Sequence, residues 1–183
     1  MDTGIETLME RLSLTDDTAR YEALKALLEI TERPVEWYGR YREVLEAKLV
    51  HPNSYQRSIG VMLLCNLAKN DTGGGFLETL GKMLPLVRDE KFITRRQCIQ
   101  NLWKAAVVIP EYGRLVVERL ESEFDACAGE KNYSLLRQDI LSSLAALANA
   151  AGNEELRKKI AGMIGREEDE KNRKKYANLL GMK

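Results

Sequence analysis

Histidine is almost absent from this chain: among 183 residues only His51 carries an imidazole. A zinc site needs three or four His, Cys or acidic ligands at compatible spacing, and a Ser–His or Cys–His nucleophile would have to use this one residue. Neither chemistry has its parts, so no catalytic residue, metal or cofactor is expected. Cysteine is scarce too. Cys65, Cys98 and Cys127 are odd in number and far apart, which argues against a disulfide framework and for a reducing compartment. Net charge is missing: 28 basic side chains balance 28 acidic ones, so nothing pulls the whole molecule toward nucleic acid or an anionic membrane. No apolar run approaches the roughly 20 residues that span a bilayer. The opening MDTGIETLMERL lacks the basic-then-apolar layout of a secretory signal, and a cytoplasmic location is expected. The glycines Gly73, Gly74 and Gly75 before Gly81 and Lys82 do not make a phosphate loop. Five residues rather than four separate Gly75 from Gly81, and Met83 stands where Ser or Thr is needed.

What the chain does contain is a period. An arginine is followed three residues later by a core-type residue and seven later by a large apolar one, in five sets: Arg20/Ala23/Leu27, Arg57/Gly60/Leu64, Arg96/Ile99/Trp103, Arg137/Ile140/Leu144 and Arg173/Tyr176/Leu180. The arginines are 37, 39, 41 and 36 residues apart, the interval of a repeat protein. Apolar residues recur at helical steps throughout, for example Val44, Leu45 and Leu49 against Ile59, Leu64 and Leu67. The pattern predicts paired helices: first helices near 3–12, 35–50, 76–87, 112–125 and 154–165, second helices near 18–31, 54–69, 93–108, 134–150 and 170–182. Asp16/Asp17, Asn53/Ser54, Thr94, Asn132/Ser134 and Asp169 stand where second helices begin and can accept from free N–H groups. Pro34, Pro52 and Pro110 mark breaks, while Pro85 lies inside the third first helix and should kink or end it.

A helical pair of this length cannot bury its apolar face alone, so neighbouring pairs must stack. The expectation is an all-α fold, a right-handed α-α superhelix or solenoid with second helices on the concave face. It would form a single domain over 1–183, with repeats near 1–33, 34–71, 72–109, 110–151 and 152–183. In the last helix Tyr176, Leu179 and Leu180 either pack back on the previous repeat or form an edge for a weak dimer; monomer and dimer both stay open.

A helix–turn–helix of this length, with Asp or Asn in the turn and Arg opening the second helix, resembles the HEAT-repeat family over the whole chain. HPNSYQRSIGVMLLCNLAKND and RDEKFITRRQCIQNLWKAA resemble in particular a group of short bacterial HEAT-like proteins that often carry the label SufBD, borrowed from an iron–sulfur scaffold. The residues do not support that label, because a cluster needs convergent thiolates and the three cysteines lie on separate repeats. The resemblance implies a structural ladder of Arg20, Arg57, Arg96, Arg137 and Arg173 bonded to turn acids. Asp17 with Arg20 and Asp169 with Arg173 fit it, and Asn53, Asp89 and Asn132 stand at more variable distances.

Three functional classes follow. The favoured one is non-catalytic binding of another protein on the concave face, through Tyr21, Tyr55, Asn66, Gln97, Asn101, Lys104, Gln138 and Ser142. The second is nucleic-acid binding: HEAT-like glycosylases that act on alkylated bases use a basic concave face with tryptophans and an aspartate. Arg57, Arg95, Arg96, Lys104, Arg137, Arg173, Lys174 and Lys175, with Trp37, Trp103 and Asp139, supply those residue types. Against it stands the missing positive excess that phosphate neutralisation needs. The third follows from resemblance alone, since chromophore lyases of photosynthetic antenna proteins are also built from HEAT-like repeats.

Overall fold

The prolines and turn polar groups divide the chain into ten α-helices, with no strand, among the described residues. The computed structural model describes residues 3–71 and 74–181. Gly73 of the glycine run and Met182 at the end of the last expected helix lie outside the described residues. The chain forms two compact units, Met1–Cys98 and Ile99–Lys183, and the boundary falls inside one helix.

In the first unit α1 (Thr3–Arg11) pairs with α2 (Asp17–Ile30), and α3 (Tyr38–Lys48) pairs with α4 (Ser54–Leu67). Then come α5 (Phe76–Met83), a 3-10 turn at Leu84–Arg88, and the start of α6 (Phe92–Ala106). Helix α2 also packs along α4, so the two second helices are neighbours. Leu12, Leu27, Leu45, Leu63, Leu64, Leu67, Phe76 and Leu80 form the buried core. Val44, expected to face α4, is exposed instead. Helices α3 and α4 approach closely because Gly60 has no side chain: a Cβ there would lie 3.1 Å from both the Leu45 carbonyl oxygen and Lys48 Cβ.

In the second unit the rest of α6 is followed by α7 (Pro110–Ala126), α8 (Tyr133–Ala151), α9 (Glu154–Gly165) and α10 (Glu170–Leu179). Helix α8 packs with α7, α9 and α10. Tyr112, Val116, Leu120, Phe124, Ile140, Leu144, Ile160, Met163 and Tyr176 are buried there. Tyr176 turns back on the preceding hairpin, donating its hydroxyl to the Ser134 carbonyl at 3.0 Å. Leu180 is half-buried, and the side chain of Leu179 lies outside the described ones.

Local chemistry accounts for most boundaries. Asp16, Asn53 and Asp169 accept from the backbone N–H groups of Ala19, Tyr55 and Asn172 at 2.7–2.8 Å, satisfying donors that a helix start leaves free. Asn153 does the same for α9 through Leu156 N–H. Pro85 ends α5 at Met83 and passes the chain into the 3-10 turn, because it has no N–H for a further helical bond. Pro110 instead opens α7, where its missing donor costs nothing. Two expected caps differ. Thr94 lies one turn inside α6, buried, donating to the Ser54 carbonyl and accepting from Ser58 Oγ. Asn132 makes no side-chain cap and holds a left-handed backbone at φ 64°, a conformation asparagine tolerates better than most residues. Among the described residues no helix is long and apolar enough to cross a membrane.

Gly60→Val should force α3 and α4 apart. Overpacking of this kind costs about 1–3 kcal/mol, so the urea midpoint should fall with the slope unchanged; an unmoved midpoint would show that the close approach does not matter.

Candidate functional site

Where the first helix of a hairpin gives way to the turn, backbone carbonyls lack helical donors, and an arginine near the start of the second helix reaches back to one or two carbonyls at or just past the end of the first. Arg20 donates to the Leu14 carbonyl at 2.8 Å and pairs with Asp17. Arg57 donates to the His51 and Pro52 carbonyls at 2.9 and 3.1 Å. Arg95 bonds the Val87 carbonyl at 2.9 Å, Arg137 that of Phe124 at 3.0 Å, and Arg173 that of Glu167 at 3.1 Å. Two of these arginines also reach an acid of the following hairpin. Arg57 grips Asp89 through two bonds of 2.6 and 2.8 Å, and Arg137 holds Glu167 Oε2 at 2.8 Å. Both pairs are almost wholly buried. Burial by itself would raise the pKa of Asp89, but the Arg57 bonds and the Lys91 N–H outweigh it and hold the carboxyl below its usual range.

The geometry differs from the sequence reading at two rungs. In the third repeat the buried, carbonyl-bound arginine is Arg95, while Arg96 carries its guanidinium over the Phe92 ring at 5.8 Å. In the last repeat Asp169 caps α10 and Glu167, two residues earlier, is the acid of the ion pair. The reason is reach. Asp89 and Glu167 each meet the arginine of the preceding hairpin, about thirty residues upstream, whereas Asp17 pairs with Arg20 of its own helix.

The proposed contact residues separate into three groups. Tyr21 and Tyr55 are 67% and 59% exposed, and with Gln97 they line one groove in the first unit. Asn66 is buried and is not a contact residue: its Nδ2 donates to the Leu28 carbonyl and Thr31 Oγ1, both at 3.2 Å, tying α4 to α2. Asn101, Lys104, Gln138 and Ser142 belong to the second unit and are half-buried. There Lys104 Nζ donates to Asn101 Oδ1 at 2.9 Å, and Gln138 Oε1 is buried without a partner.

The groove measures about 460 Å³ and runs over α2, α4 and the first turns of α6. Leu24, Leu28, Ile59, Met62 and the 53% exposed Ile93 give it an apolar lining, and Asp17, Arg20 and Lys25 add charged groups. Arg20 lies 5.4 Å from the centre of the Tyr55 ring, an attraction that orients the ring. Ile93 and Met62 carry no sequence signal as contacts, because by periodicity they look like any other apolar helix residue. A second, polar pocket of about 390 Å³ shares Asp17, Arg20 and Tyr55 as a wall and continues between the α1–α2 and α3–α4 turns past Lys48 and His51. The second unit has a larger cavity of about 510 Å³ beside Ile109, Pro110 and Leu156. Its charges are largely spoken for, with Arg114 paired to Glu118 and Lys159 to Glu121.

No protein-family model matches the sequence, and no curated protein matches it. Solved structures do match. Two engineered proteins whose crystal structures come from a structural-genomics consortium superpose over 95% and 94% of this chain and 76% and 77% of theirs. Their TM-scores are 0.59 and 0.57 at 16% and 19% identity. The fold is a repeated α-helical hairpin of the solenoid class. At this identity the likeness concerns fold alone.

Elsewhere in the first unit Glu46 receives bonds from Lys82, Thr79 and Arg42. Burial would raise its pKa, yet these donors bring it down to about 2, against an unfolded value of about 4.3. A depressed carboxyl stabilises the fold above the unfolded pKa, and that contribution disappears as pH falls through the folded one. Glu46→Gln should therefore be less stable than the parent at pH 7, with the gap closing between about pH 4 and about pH 2; a gap independent of pH would refute the assignment.

Proposed function

We propose that this protein is a HEAT-like module that binds another protein without catalysing a reaction, through the groove over α2, α4 and the start of α6. One observation carries the reading: three large apolar side chains, Tyr21, Tyr55 and Ile93, stand strongly exposed around a single groove. Isolated exposed apolar residues are ordinary, but a cluster in a concave site marks an interaction surface, and tyrosines are common energetic anchors. The five-repeat division of 1–33, 34–71, 72–109, 110–151 and 152–183, and self-association at the last repeat, belong to the same proposal.

The arginines favour a protein over a nucleic acid. Arg20, Arg57, Arg95 and Arg137 are buried and committed to backbone carbonyls, so they are poor donors for phosphate. Asp139 is buried and accepts from Gln100 at 2.8 Å, and Trp37 packs edge-on against Tyr41. Those contacts give the glycosylase-type residues structural work.

The test is selection of peptides from a random display library on the full chain. Peptides enriched on the parent should bind Tyr21→Ala/Tyr55→Ala at least tenfold more weakly, with folding stability changed by less than about 1 kcal/mol, since both rings are largely exposed. Equal binding to parent and variant would remove the groove from the account.

A further inference from the structure

Lys48, in the last turn of α3, is only 7% exposed. Its Nζ donates to Gln56 Oε1 at 2.5 Å and Ser13 Oγ at 3.3 Å, both uncharged. Gln56 cannot rotate freely to change this, because its Nε2 is held by the Leu12 carbonyl at 2.8 Å. An ammonium has three donors, so one N–H is left over. Among the described residues no carboxylate pairs with Lys48. A buried cation without a counter-charge is costly, and burial pulls its pKa below the usual lysine value. The dipole of α3 favours a cation at this end, but an exposed lysine would serve that purpose equally.

The surroundings of Lys48 suggest what completes it. Lys48 lines the polar pocket of about 390 Å³, whose wall of Asp17, Arg20 and Tyr55 also borders the apolar groove. The Asp17 carboxylate is taken by Arg20. Lys48 and, in the groove, Lys25 are then the cations left without a described ion-pair partner. The combined surface is largely apolar with a positive excess, Lys48 in the pocket and Lys25 further along α2 in the groove.

We propose that this pocket is a carboxylate site, filled by a glutamate side chain of the partner segment whose apolar residues lie in the groove. The inference rests on the groove being the binding surface. Glutamate suits the depth: its two-methylene stem can carry a carboxylate down to a nearly buried ammonium while the partner backbone stays at the groove. A chain terminus would have to bring its own amide group into the pocket. Glutamate supplies the missing charge and accepts the spare N–H, making a charge-assisted bond.

The test uses an acetylated, amidated pentapeptide of leucine, glutamate, leucine, phenylalanine and leucine, and its glutamine analogue. Both are titrated into the full chain and followed by NMR at the Met62 methyl, the Ile93 methyls and the Lys48 ε-methylene. The glutamate peptide should bind at least tenfold more tightly and raise the Lys48 pKa, and Lys48→Met should bind both peptides equally. The pKa readout needs only the parent protein, so it holds even if the variant does not fold. If both peptides shift Met62 and Ile93 with equal affinity and leave the Lys48 pKa unmoved, the carboxylate site is wrong and the groove stands. If neither peptide shifts Met62 or Ile93, the groove reading falls and takes the carboxylate site with it. A tenfold gain confined to a glutamine peptide with a free C-terminal carboxylate would overturn the side-chain source.

Discussion

Where one helix ends and the next begins, carbonyl oxygens of the last turn and of the connecting loop lack helical donors, and a protein made of short helical hairpins meets this problem repeatedly. Here an arginine from the following helix supplies the donors. Its guanidinium is planar, permanently charged and rich in N–H groups, so it can bond a carbonyl and still offer another edge to a carboxylate. Arg57 does both, holding the His51 and Pro52 carbonyls and then Asp89 of the next hairpin. Arg137 repeats the arrangement with Phe124 and Glu167. One side chain thus closes its own hairpin and fastens the next one. Leu45, Leu64 and Leu80 in the first unit, and Leu120, Ile140 and Ile160 in the second, are buried in the apolar cores of these hairpins.

The same interaction decides what is free to bind. Arginines spent on carbonyls and buried acids present little charge outward, and the even overall balance of charge agrees with that use. What remains exposed around the groove is less regular: Tyr21 and Tyr55 on neighbouring second helices, Ile93 beside them, and Lys25, while Lys48 lies nearly buried in the adjoining pocket; neither lysine has an acid partner among the described residues. Binding would therefore depend on residues that the repeat does not constrain.

The sequence made most helix positions, the pairing of α1 with α2, α3 with α4, α7 with α8 and α9 with α10, and most caps legible, because these depend on residues close together along the chain. Pro85 and Pro110 act through local backbone chemistry, and both stand where that chemistry puts them. The ladder's partners were harder to read. Arg95 and Arg96 differ by one residue, about 100° around a helix, and only packing decides which one faces inward. Glu167 and Asp89 lie far from their arginines in sequence, and no local spacing connects them. Asn66 reads as a polar contact residue until its two acceptors on α2 and just beyond its end are known. The uncompensated Lys48 was invisible for the same reason, since the absence of a counter-charge is a three-dimensional fact.

The central claim is that an arginine and an acid of successive hairpins are coupled, not merely adjacent. A double-mutant cycle with Arg57→Ala, Asp89→Ala and the double variant measures this directly by urea denaturation. The account predicts that each single change is strongly destabilising and that the double is little worse than either, a coupling of about 2 kcal/mol. Stability losses that simply add, with coupling near zero, would contradict it.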